Sequence, residues 1–284
     1  MNRQASIDFR TAGAATPASR YATWRGLALL MGCASIAAAM PVALAATPTC
    51  FGQPATIVGR DQIRGTAGDD VIVGKGGSDT IRGLGGDDLI CGRGGYDTLI
   101  GGYGNDKLAG NGQSDTLNGG EGHDRLKGGA VFDFLEGGPG DDIIGSKRSS
   151  WHDIAVYENS PRAVRIDLEE GTAKGDGTDT LIGIHFLELS AFNDVVEGTN
   201  RKEVIRDSGG GDSLTLKGGN DFVYPPVSDE PDGNDLILLG PGDDFANSGA
   251  GDDHIDGGDG NDAVNAGEGT DNCVNTEDEG DCEN

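Results

Sequence analysis

From Gly65 the chain repeats every nine residues, without a gap, through GTAGDDVIV, GKGGSDTIR, GLGGDDLIC, GRGGYDTLI, GGYGNDKLA, GNGQSDTLN, GGEGHDRLK, GGAVFDFLE and GGPGDDIIG. Position one is Gly, position six Asp and position eight Ile or Leu in every unit, and Gly145 ends the run. A period this strict means stacked copies of one small unit, each burying its apolar residue against its neighbours. Gly at positions one and four predicts a six-residue loop with left-handed torsions. The last three residues then form a minimal strand whose eighth side chain points inward while its neighbours point out. Seven of the nine units keep Gly at position four, and Gln113 and Val131 are the departures. Thr56 to Arg64 is a degenerate unit ahead of the array, with Gly59, Asp61 and Ile63 in register.

The position-six acids are Asp70, Asp79, Asp88, Asp97, Asp106, Asp115, Asp124, Asp133 and Asp142. Parallel coils lie about 4.8 Å apart, which brings each Asp close to the one two repeats later. Carboxylates at that spacing do not all stay ionised without a cation. Calcium takes six to eight oxygens in irregular geometry and suits such loops; magnesium, with its stricter octahedron, ranks second.

A less regular array follows. Asp194, Glu203, Asp212 and Asp221 are nine apart, as are Asp235, Asp244, Asp253, Asp262 and Asp271, with an insertion around Pro225 and Pro226 between the two sets. The inward positions become Val196, Ile205, Leu214, Val223, Ile237, Ala246, Ile255, Val264 and Cys273. Candidate ligands here are Asp212, Asp221, Asp235, Asp244, Asp253 and Asp262, best where the loop reads GPGDD, GAGDD or GDGND. Glu203 follows Asn200-Arg201-Lys202 instead of glycine, so its loop is not expected to hold an ion.

The unit resembles the RTX, or haemolysin-type, calcium-binding repeat G-G-x-G-x-D-x-U-x. The resemblance implies an all-β, right-handed parallel β-roll, or β-solenoid, with two nonapeptides per coil and several calcium ions between stacked loops on both sides. Residues 146–192 are similar to the bridging segment of such proteins, through Tyr157, Gly177 to Ile184 and Asn193 to Gly198. They are read as wider coils of one solenoid. His185 and Phe186 depart from the residues usual there.

Residues 1–45 carry Arg20 and Arg25, an apolar run from Leu27, and Ala43-Leu44-Ala45, the layout of a secretory signal peptide. A transmembrane reading is weaker because Pro41 interrupts the run. The remainder holds 17 basic against 47 acidic residues, a formal −30, and 34 of the acids are Asp. That charge excludes nucleic acid and anionic lipid as partners. Four cysteines remain, which behind a leader read as two disulfides with three possible pairings. Cys50–Cys91 and Cys273–Cys282, the neighbours at each end, are favoured; zinc is the alternative, but no close Cys-x-x-Cys pair exists. The leader, these cysteines and the tail TDNCVNTEDEGDCE are similar to secreted RTX-type proteins of actinobacteria. The division is a signal peptide at 1–45, an N-terminal cap at 46–64, the first array at 65–145, the bridge at 146–192, and a second array with a disulfide-closed cap at 193–284.

No H-E-x-x-H helix and no G-x-S-x-G elbow occurs, and His123, His152, His185 and His254 are scattered singly. Asp pairs such as Asp69-Asp70 recur with the period, so scaffold chemistry accounts for them better than catalysis. Trp151 reads as a cover for the solenoid core more than as a sugar-stacking site. The expectation is a secreted, non-enzymatic, calcium-binding protein with a structural or matrix role, folding as it binds its ions. The alternative is a calcium-dependent module that recognises an extracellular glycan or a cell surface.

Overall fold

A computed structural model describes residues 46–146, 153–226, 232–280 and 282. The expected leader at 1–45, and Trp151 and His152, lie outside the described residues. Among those described there is no helix. Outside the N-terminal hairpin and the bridge, short strands alternate between a 12-stranded and a 14-stranded sheet, and each pairs in parallel with the strand two units away. Thr80–Gly85, for instance, pairs with Thr98–Tyr103, with Ile81 opposite Leu99. This is a parallel β-solenoid in which two nonapeptides close one coil.

Position eight fills the space between the sheets. Ile72, Ile81, Ile90, Leu99, Leu108, Leu117, Leu126, Leu135 and Ile144 are each fully buried, one aliphatic layer per strand. The nine inward positions of the second array are buried in the same core, Cys273 included. Period-two alternation then decides how the two disulfides work. Cys91 stands at position nine and faces outward, where the N-terminal hairpin Thr49–Cys50 with Gln53–Pro54 covers Val73, Cys91 and Ala109. Cys50–Cys91 ties that cap to the outer face of the sheet. Cys273 faces inward, and its bond to Cys282 brings Cys282 against the last layer of the core. Both favoured pairings are those found.

The bridge differs from uniformly wider coils. On the 12-stranded side Ile154–Val156 and Phe186–Glu188 simply continue the parallel stack. On the other side Arg165–Asp167, Thr172–Lys174 and Thr178–Ile182 form an antiparallel meander set between Ile143–Gly145 and Val195–Glu197. The tight reversal around Gly171, at φ +68°, permits the antiparallel return. One sheet therefore gains two extra strands while the aliphatic core runs on through Ala155, Ile166, Ala173, Leu181 and Leu187.

The loops correct one detail of the sequence reading. Left-handed torsions occur at positions two and four, as at Gly102 (φ +120°) and Gly104 (φ +122°), and not at position one. Position one needs glycine for room: a Cβ on Gly83 would stand 2.1 Å from Asp88 Oδ2 and 2.7 Å from the Gly101 carbonyl oxygen. Leu84, Arg93 and Asn111 adopt left-handed torsions at position two, and Gln113 and Val131 do so at position four.

Candidate metal centre

The loops place the position-six residues in two columns, one along each edge of the solenoid. Asp70, Asp88, Asp106, Asp124 and Asp142 lie where the chain passes from the 12-stranded to the 14-stranded sheet, and Asp79, Asp97, Asp115 and Asp133 where it returns. Each carboxylate uses one oxygen to hold the preceding coil. The N–H of Asp88 donates to Asp106 Oδ1 at 2.7 Å, that of Asp106 to Asp124 Oδ1 at 2.7 Å, and that of Asp97 to Asp115 Oδ1 at 2.8 Å. In the second array Asp194 donates to Asp212, Asp212 to Asp235, Asp235 to Asp253, Asp221 to Asp244 and Asp244 to Asp262 in the same way.

The second oxygen is the chemically decisive atom. Oδ2 of Asp88, Asp97, Asp106, Asp115, Asp124, Asp133, Asp142, Asp212, Asp221, Asp244, Asp253 and Asp262 is buried and accepts no hydrogen bond. Asp271 Oδ2 shares that condition. A buried, unpaired carboxylate oxygen costs far more than its solvated counterpart unless a cation or a proton takes it. Burial accordingly pushes the carboxyl pKa up, against the opposing backbone N–H and with help from neighbouring aspartates. Asp106, Asp115 and Asp142 rise to about 7 and Asp235 to about 8.

Backbone carbonyls converge on the same edges. A Cβ on Gly104 would lie 2.2 Å from the Gly86 carbonyl oxygen, and one on Gly102 would lie 2.3 Å from that of Leu84. Free carboxylate oxygens and crowded carbonyls form a hard-oxygen environment that suits calcium.

Residues 64–99, 92–126, 100–135, 118–146, 197–225 and 239–273 match the family described as RTX calcium-binding nonapeptide repeat (4 copies). Together these stretches cover more than half of the chain. The chain belongs to this family. It is a calcium-binding repeat protein with an RTX β-roll fold. No curated protein matches it. In the RTX loops here, Oδ2 of the ladder aspartates and the neighbouring carbonyls would hold the ion, which would neutralise the carboxylates of adjacent coils.

Three of the aspartates expected as ligands are placed differently. Asp70 Oδ2 accepts from the Thr66 N–H and hydroxyl at 2.7 and 2.9 Å, and Asp79 Oδ2 accepts from the Lys75 N–H at 2.9 Å. Asp235 sits in a carboxylate cluster with Asp207 and Asp232. The loops that depart from the glycine pattern at Gln113 and Val131 still present a bare Oδ2 on Asp115 and Asp133. Glu203 takes a ladder position, but its carboxylate is engaged by the Thr199 hydroxyl at 2.6 Å and faces His185 Nδ1 at 3.3 Å.

Sequence reasoning missed several ladder members. Asp153 and Asp179 fall out of the nine-residue count because they lie inside the bridge, whose spacing departs from the repeat. Glu277 accepts the Asp262 N–H at 2.8 Å across only 15 residues. The one sequence signal for Asp153 and Asp179 is an acid immediately before, or at the start of, an alternating apolar triplet.

Proposed function

We propose that this protein works outside the cell, where calcium folds the β-roll and the folded rod has a structural role in extracellular material. The observation that carries the reading is the double column of buried, unpartnered Oδ2 atoms. A chain with one aliphatic per nine residues and a large negative charge has little else to offset the entropy of ordering so much backbone. Calcium supplies the missing term at many loops together, and stacking makes the response cooperative. Where calcium is scarce, as in a cytosol, the chain is extended and fit for export; the leader expected at 1–45 provides the route. Circular dichroism of metal-stripped protein at neutral pH is expected to show coil, converting to β-structure in millimolar calcium. Retention of the full β signal and of protected amides in chelator would overturn the proposal.

A second reading, calcium-dependent binding of an extracellular glycan, is favoured by one feature of the 12-stranded sheet. Its outward position-seven column changes from Thr80, Thr98 and Thr116 to Phe134, Ile154, Phe186, Val204, Phe222 and Phe245, all in register. Tyr224 stacks beside Phe222 with centroids 6.3 Å apart, and Lys202 Nζ sits 3.9 Å from the Phe222 centroid. Flat rings beside a cation suit a sugar ring bearing an acidic group. A glycan array probed with and without calcium separates the two readings: calcium-dependent binding lost in Phe222→Ala favours recognition, and its absence favours the structural role.

A further inference from the structure

The insertion before Asp235 brings in an acid that the repeat does not contain. Asp232 stands at position three of the unit that resumes after Pro225 and Pro226, paired through a parallel bridge with Gly210 of the preceding coil. Asp207 stands at position one, where every unit of the first array has a glycine pressed against its own position-six carboxylate. One carboxylate oxygen each from Asp207, Asp232 and Asp235 lie within 4.8 Å of one another. Asp207 and Asp235 are buried, and Asp232 is half-buried.

Asp212 completes the group. Its Oδ1 accepts the Asp194 N–H at 2.9 Å, and its carboxylate faces that of Asp207. Its Oδ2 has no partner, in a residue only 3% exposed. The remaining contacts of the cluster are backbone N–H groups: Gly209 on Asp207 at 2.8 Å, Gly233 and Ala250 on Asp232 at 3.1 and 3.3 Å, and Asp212 on Asp235 at 2.8 Å. Among the described residues no Lys or Arg forms an ion pair with any of the four. Four carboxylates from the same loop of two successive coils therefore converge where an ordinary repeat loop offers one free oxygen. Ligand charge count is the main lever on calcium affinity in flexible oxygen sites.

We propose that Asp207, Asp212, Asp232 and Asp235 form a separate divalent-cation site, of the calcium class, that fills before the repeat loops and pins the coil that resumes at Asp232 to the one beneath it. The inference rests on the calcium reading for Asp212 and Asp235, which also belong to the ladder, but Asp207 and Asp232 lie outside the repeat pattern. That difference supplies the test. Native mass spectrometry of the full chain against calcium chloride at controlled free calcium is expected to show one ion bound at a free concentration at least about tenfold below the midpoint of the multi-ion phase. Asp207→Gly, which restores the residue the repeat uses at position one, and Asp232→Asn are each expected to merge that first ion into the main phase. The main midpoint should stay unchanged, and circular dichroism in excess calcium checks that both variants fold. A first ion that persists in both variants, or a parent chain without one, overturns the proposal. Loss of the multi-ion phase with the first ion intact would instead count against the calcium-folded roll.

Discussion

The hydroxyl of Tyr157 donates to Asp179 Oδ2 at 2.9 Å, while Asp179 Oδ1 accepts the N–H of Asp142 at 3.0 Å. Asp179 thus continues the carboxylate column past the first array, but a phenol occupies the oxygen that Asp106 and Asp124 leave bare. The column ends on a protein group instead of on another open loop.

Tyr157→Phe removes that donor and strands a buried carboxylate oxygen. The expected loss is about 1–3 kcal/mol, read from thermal unfolding in saturating calcium. An unchanged melting curve would show that the hydroxyl is not needed to close the array.

Val131 is a β-branched residue held at φ +76°, half exposed, in a position that its counterparts Gly122 and Gly140 occupy at φ +146° and +139°. Val131→Gly should stabilise the calcium-bound fold by about 1 kcal/mol, since the relief of left-handed strain outweighs the added entropy of the unfolded chain. The reverse change, Gly122→Val, should be strongly destabilising, because a Cβ there would lie 1.8 Å from the Gly104 carbonyl oxygen. Melting temperatures of the two variants moving in the same direction would contradict this account of the loop.

In the metal-free chain pH should substitute in part for calcium. Asp106, Asp115 and Asp142 sit near 7 when folded, against an ordinary value of 3.8. Between those values the folded chain holds more protons than the unfolded one, so stability is greatest below the ordinary value and falls as pH rises through about 7. Metal-stripped protein is expected to gain β-structure on acidification from about pH 8 to about pH 5. Calcium added near pH 6 should release protons, measurable by calorimetry in buffers of different ionisation enthalpy. A coil spectrum that is flat across this range would remove the link between carboxylate charge and folding.

The two disulfides should contribute unequally. Cys50–Cys91 closes 41 residues and Cys273–Cys282 closes 9, so loop entropy assigns about 4 and about 3 kcal/mol respectively. Replacing each pair by serine and comparing calcium midpoints tests this. The Cys50/Cys91 variant should need more calcium to fold, and should also free the N-terminal cap from the sheet face to proteolysis.

Local periodicity determined most of this protein. Gly, Asp and an aliphatic at fixed offsets dictate a loop and an inward strand residue, and nothing else in the chain competes with that instruction. The stacked coils, the buried eighth position and the two aspartate columns follow from residues that act within one unit or between identical neighbours. Tertiary structure decided what depends on unlike segments meeting. The recruitment of Asp179 by Tyr157 and the convergence of Asp207 with Asp232 join residues whose spacing is not a multiple of nine, and the meander at Arg165–Asp167 pairs its strands antiparallel where the repeat pairs them parallel. A repeat repeats its contacts, and only folding reveals the contacts made once.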